Sequence, residues 1–251
     1  MATPLCLIAL SISQNSFYSL SFLIIGLYCI DKKPLLSGLC FALLTYKPQF
    51  AILIPIALLL TNNYRVFFYA ALFFLLQVTA SIVIFGIEPW VVFFQTTHNV
   101  WSLMHSNQMP IHIMSSHFTV FTSWNFSLEC TKILSLFYFF SVASITLYFW
   151  YKIKGDHLAK AILCAGICLG TPYIFHYDMI ILIGSVVFYM GYNGFIITER
   201  EVIEMILFCI FYILILTLSV LTSTSMLILV SIIIFIYMVN KALKIPILVY
   251  Q

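Results

Sequence analysis

Charge is scarce in this chain. Lys and Arg number 11 and Asp and Glu number 8 among 251 residues, together 8%, where soluble domains carry about a quarter. The basic residues are scattered between apolar stretches, which excludes a nucleic-acid face and leaves the net charge of +3 to report on topology. No glycine-rich phosphate loop, nucleophile elbow or metalloprotease helix occurs, which disfavours nucleotide hydrolysis and serine or zinc proteolysis. The seven cysteines (Cys6, Cys29, Cys40, Cys130, Cys164, Cys168 and Cys209) are odd in number and lack metal-binding spacing. That argues against a disulfide framework or a zinc site, and most of them lie in apolar runs, where cysteine acts as a small hydrophobe. The first basic residue is Lys32, so the charged leader of a cleavable signal peptide is missing.

What the chain has in excess is apolar surface. Hydrophobic residues make up 63% and the mean hydropathy is +1.12, more than a water-soluble domain can cover. The runs are continuous rather than alternating, which excludes a transmembrane barrel. The predicted architecture is an all-α, polytopic transmembrane bundle over residues 1–251, a single integral membrane domain.

About nine membrane segments are expected, near 16–30, 35–46, 49–61, 66–86, 133–151, 160–171, 178–195, 205–222 and 226–240. Strict alternation places nine of the eleven basic residues on one side, Lys47 and Lys132 being the exceptions. The positive-inside rule makes that side cytoplasmic, with the carboxyl terminus there and the amino terminus outside. Segments 35–46, 49–61 and 160–171 rise only about 20 Å as helices, short of a hydrocarbon core of about 30 Å. Their polar ends are therefore expected at a water-filled, outward-facing cavity. The longest loop, about 87–131, falls outside too, with short interfacial helices expected near Trp90–Phe94 and Phe118–Phe121.

Two polar islands interrupt the apolar pattern: Tyr46-Lys-Pro-Gln49 and Thr171-Pro-Tyr-Ile-Phe-His-Tyr-Asp178. Ionisable groups at membrane depth are functional candidates by default. Lys47 precedes Pro48, a good first helical residue, so its ammonium and the helix N-terminus form an anion site suited to a lipid phosphate. The alternative is snorkelling to the headgroups. Asp178 suits a general base, a metal ligand, an acceptor for sugar hydroxyls, or the N-cap of the following helix, and the cap is favoured. Tyr173 and Tyr177 suit sugar stacking or an aromatic belt equally. His98, His105 and His112 recur every seven residues, but Pro110 breaks any continuous helix, so a three-histidine metal site is not expected. Glu88 and Glu129 are expected to be solvated.

Gln14-Asn15, Lys33-Pro-Leu-Leu-Ser-Gly38, Tyr46-Lys-Pro-Gln-Phe50 and the Pro172-Tyr173…Tyr177-Asp178 element, in this order, resemble glycosyltransferase family 87. Its members are bacterial membrane enzymes of the GT-C fold, typified by polyprenyl-phosphate-mannose-dependent mannosyltransferases. Ser13 stands where the family has a glycine. The resemblance implies inverting transfer of a hexose such as mannose from a polyprenyl-phosphate donor to an envelope glycan or glycolipid acceptor, on the outer side of the plasma membrane. It implies no cofactor and no metal. Gln14, Asn15, Lys47, Gln49, Tyr173, His176, Tyr177 and Asp178 are the implied substrate-binding residues. GT-C enzymes generally take their base from an aspartate in the first outer loop, and no acid precedes Asp31 here. The catalytic base is thus unassigned, Asp178 or another acid being a weak substitute; the chain is expected to be an amino-terminally truncated copy, the alternative being a catalytic half on a separate polypeptide. The rival readings are a polyprenyl-lipid flippase, since broken helices also build transporter sites, and a non-catalytic membrane remnant.

Overall fold

The computed structural model describes residues 15–106, 114–194 and 228–245. Among these, every regular element is helical. Helix α1 spans Ser16–Cys29, α2 Pro34–Leu44, α3 Pro48–Ala51, α4 Leu53–Leu60, α5 Tyr64–Phe85, α6 Glu88–His105 and α7 His117–Ser123. Then follow α8 Leu128–Lys152, α9 His157–Gly170, a 3-10 helix His176–Ile181, α10 Leu182–Tyr192 and α11 Ile228–Leu243. Two of these, α5 and α8, are long and apolar enough to cross a membrane. Eight of the nine expected segments coincide with helices; 205–222 lies outside the described residues.

Proline sets several of the boundaries. Pro34 and Pro48 begin α2 and α3, where a missing N–H costs nothing. Pro55 cannot donate to the carbonyl of Ala51, and the helix from Pro48 is interrupted one residue later, at Ile52. Thr171, just before Pro172, takes extended backbone and ends α9. The helix end at Leu60 leaves the Ala57 carbonyl without a regular amide partner; the indole N–H of buried Trp150 donates to it at 2.7 Å, tying α8 to α4.

The short helix α9 is the centre of the bundle. Every residue from Leu158 to Gly170 is buried, as in a helix surrounded on all sides. It packs against α8, α10 and α11, and Ala159, Ala161, Ala165, Gly166 and Gly170 let those neighbours approach closely. At the other end α1, α2 and α5 pack in sequence. There Gly38 of α2 lies directly on the Tyr69–Ala70 backbone of α5, and the Ser37 hydroxyl donates to the Gly26 carbonyl at 2.7 Å.

The loop expected at 87–131 is more helical than its composition suggests. Instead of a short interfacial piece, α6 runs for 18 residues with Glu88 in its first turn, a favourable place for an acid. Helix α8 starts at Leu128 rather than near 133, because the Ser127 side chain accepts from the Cys130 amide as an N-cap. Lys132 pairs with Glu129 at 2.9 Å, and the glutamate is 76% exposed, the solvated role expected of it.

Candidate functional site

The two polar islands meet. Lys47 caps α3, Ser16 opens α1, and Asp178 is the third residue of the 3-10 helix. The Lys47 ammonium lies 2.5 Å from Asp178 Oδ1 and 3.3 Å from Ser16 Oγ. Ser16 in turn donates to the same Oδ1 at 2.6 Å. The pair is sequestered: the side chains are 14% exposed for Lys47 and 3% for Asp178. The rings of Tyr177, Phe50 and Tyr46 stand 5.5, 5.7 and 5.9 Å from the ammonium, within cation–π range.

This geometry corrects the expected role of Asp178. Phe175 is the N-cap of the 3-10 helix, and no side chain caps it. A buried carboxylate needs charge compensation more than the helix needs a cap, and Lys47 supplies it. Asp178 is therefore the anchor of an ion pair joining three segments.

A second hydrogen-bonded set adjoins the first. The Tyr46 hydroxyl lies 2.5 Å from Ser19 Oγ and donates to the Asn15 carbonyl at 2.9 Å. Ser16 and Ser19 share the buried stripe of α1 with Leu23, Gly26 and Leu27, so both hydroxyls point inward at helical spacing. Neither serine stands out in the sequence. The available signal was their spacing of three within an otherwise apolar stripe.

The remaining candidates are distributed around this centre. Asn15 contributes its carbonyl. Gln49 is half-buried in the first turn of α3, and Tyr173, His176 and Tyr177 are half-buried. Tyr177 stacks on Phe175 with centroids 5.2 Å apart, and Phe175 meets Tyr173 edge-on at 5.1 Å. His176 and Asp178 occupy a 3-10 turn and do not share a face. Gln14 and His112 lie outside the described residues. His105 approaches the Phe126 carbonyl at 3.0 Å.

The segment before α7 is fastened to the second island. Met114 and Phe175 form an antiparallel bridge, and the Ser115 amide donates to the Ile174 carbonyl at 2.8 Å. This places His117, 2% exposed, against Tyr138 with ring centroids 4.6 Å apart. Among the described residues neither of its ring nitrogens has a hydrogen-bond partner of good geometry. Burial pushes its pKa down to about 4, partly opposed by the backbone of Leu169 and Ser135.

A cavity of about 580 Å³ lies beside the ion pair, lined by Tyr46, Pro48, α5 and the start of α6. Both islands were expected to wall one cavity. Only the first does so, because the second is packed against α1 and α9.

The family model for glycosyltransferase family 87 matches residues 1–172. The chain belongs to glycosyltransferase family 87. The matched stretch includes Ser16, Tyr46, Lys47 and Gln49 and stops at Pro172, ahead of Tyr173, His176, Tyr177 and Asp178. No curated protein and no solved structure matches the chain. Family membership makes this a glycosyltransferase sequence, with a sugar donor and an acceptor as its partners, and the two apolar helices agree with a membrane setting.

Proposed function

We propose that this GT-C-type enzyme transfers a hexose, such as mannose, from a polyprenyl-phosphate donor to an envelope glycan or lipid acceptor. In this reading the protein is multi-pass in the plasma membrane, its carboxyl terminus is cytoplasmic, and the site opens on the outer side. The observation that carries the proposal is the Lys47–Asp178–Ser16 cluster. An ammonium has three donors, and Ser16 and Asp178 take two of them. The third is available to an oxygen of the departing lipid phosphate, where developing charge is stabilised by a donor already in place. Because Asp178 neutralises Lys47, the pair acts as an oriented hydrogen-bond donor rather than an unopposed cation. Gln49, Tyr173, His176 and Tyr177 surround it with amide, hydroxyl and ring surfaces suited to a sugar, and Gln14 and Asn15 complete the proposed set. Transfer requires an acceptor hydroxyl to lose its proton as it attacks the anomeric carbon; Asp178, already committed to Lys47, is a poor base for that step.

The test is reconstituted protein with a labelled polyprenyl-phosphate hexose and membrane glycolipid acceptors. Glycosyl product is expected, reduced at least a hundredfold by Lys47→Ala at equal protein. Lipid translocation without any glycosyl product would replace this reading with the flippase.

A further inference from the structure

Helix α5 carries one amide, Gln77, well inside a 22-residue apolar run. None of the apolar window of this helix is fully buried inside the protein, although one side of the helix packs against α2. Gln77 is half-buried and lines the cavity beside Tyr46. Its Oε1 is buried and has no hydrogen-bond partner among the described residues. An unpaired amide oxygen away from water is costly, more so at membrane depth.

The other polar groups of the cavity are already committed or complementary. The Trp90 indole N–H donates to Ser81 Oγ at 3.3 Å. The Tyr46 hydroxyl is taken by Asn15 and Ser19, leaving its ring as wall. Pro48, Phe74 and the Trp90 ring supply apolar surface. Among the described residues the cavity is thus an apolar groove with one unsatisfied acceptor. It adjoins the ion-pair site through Tyr46 and Pro48, which flank Lys47 in sequence and line the groove.

We propose that this groove seats a membrane lipid bearing a free hydroxyl, whose O–H is received by the Gln77 amide after a turn about its terminal torsion. A purely hydrocarbon or isoprenoid chain would fill the groove and leave the amide unpaired, so the donor's tail is the poorer occupant. On the transferase reading, which the assignment of a role rests on, this lipid alcohol is the acceptor, held next to the phosphate-binding lysine.

The experiment measures binding and needs no sugar transfer. Wild-type protein is placed in phosphatidylcholine vesicles containing dibrominated octadecanol or its methyl ether, which cannot donate. Contact quenching of Trp90 is taken as the fluorescence difference from Trp90→Phe. The alcohol is expected to reach half-quenching at a roughly two- to tenfold lower mole fraction than the ether, the range of one hydrogen bond. Gln77→Leu should bring the two probes together while leaving the ether unchanged. Equal quenching by alcohol and ether in the wild type, or no quenching assignable to Trp90, overturns the proposal. A preference for the alcohol in protein that transfers no sugar leaves the groove assigned and sinks the transferase reading instead.

Discussion

Replacing Lys47 with methionine removes one charge and keeps most of the unbranched side chain, one atom shorter. Asp178, 3% exposed at its side chain, would then retain, among the described residues, only the Ser16 hydroxyl at 2.6 Å. Breaking a buried pair by deleting one partner costs about 3–5 kcal/mol, because the surviving charge is stranded. The Ser16 hydrogen bond, being to a charged group, retains about 1.5–3 kcal/mol at most, and the 14% exposure of Lys47 admits some water to the vacated space. A net loss of about 2–4 kcal/mol is expected from Lys47→Met. Asp178→Asn alone should cost a similar amount, now by stranding the ammonium among the rings of Tyr46, Phe50 and Tyr177. The double variant Lys47→Met/Asp178→Asn strands neither charge and should recover at least half of the sum of the single losses. Reversible denaturation in mixed micelles, run as a double-mutant cycle, measures the coupling directly. Additive losses, or a Lys47→Met cost below about 1 kcal/mol as for a solvent-exposed pair, would refute the argument.

Two further perturbations address the frame around the site. Gly38→Ala would place a methyl carbon 2.5 Å from Tyr69 Cβ and 2.8 Å from the Ala70 amide; since backbone cannot step aside, α2 and α5 must separate, at about 1–3 kcal/mol, measurable in the same denaturation assay. His117 gives a pH dependence. Its folded pKa of about 4 lies below the ordinary 6.5, so the unfolded chain binds the proton first, and stability present above pH 6.5 is lost as pH falls toward 4. The loss at pH 4 is about 3 kcal/mol, and His117→Leu should flatten the profile over that window.

The helices were legible because their punctuation is local. Pro34, Pro48 and the Thr171–Pro172 step mark boundaries that the structure reproduces within a residue or two. The meeting of the islands was not, since Lys47 and Asp178 are 131 residues apart and nothing in either neighbourhood names the other. An acid ahead of an apolar run reads as a cap, and only the tertiary contact reveals that its charge is spent on lysine. Ser16 and Ser19 are inconspicuous in the sequence for a related reason: a hydroxyl in an apolar helix carries no signal until a carboxylate or a tyrosine stands opposite it. The polar composition of 87–131 suggested irregular chain, yet Glu88 and Pro89 start a helix there whatever the composition of the rest.

The family match and the site divide the chain differently. The match ends at Pro172, while the carboxylate that fixes Lys47 lies just beyond, on a 3-10 helix packed against α1, α9 and α10. The lysine's position therefore depends on both the matched stretch and the segment that follows it. Pro172 breaks α9, the extended Thr171 turns the chain, and Phe175 pairs with Met114, so the aspartate is delivered by backbone geometry. A buried pair is weak evidence for stability, since apolar replacements often do as well. Its use here is register: the pair fixes one ammonium donor direction among α1, α3 and the second island. On the proposed reading, a phosphate arriving at Lys47 must either accept that direction or displace Asp178, and displacement would cost the burial of an unpaired carboxylate. The first course is much the cheaper. On the proposed transferase reading the Lys47 ammonium is thus a preset donor, and the segment after Pro172 is as necessary to that role as the family stretch that contains the lysine.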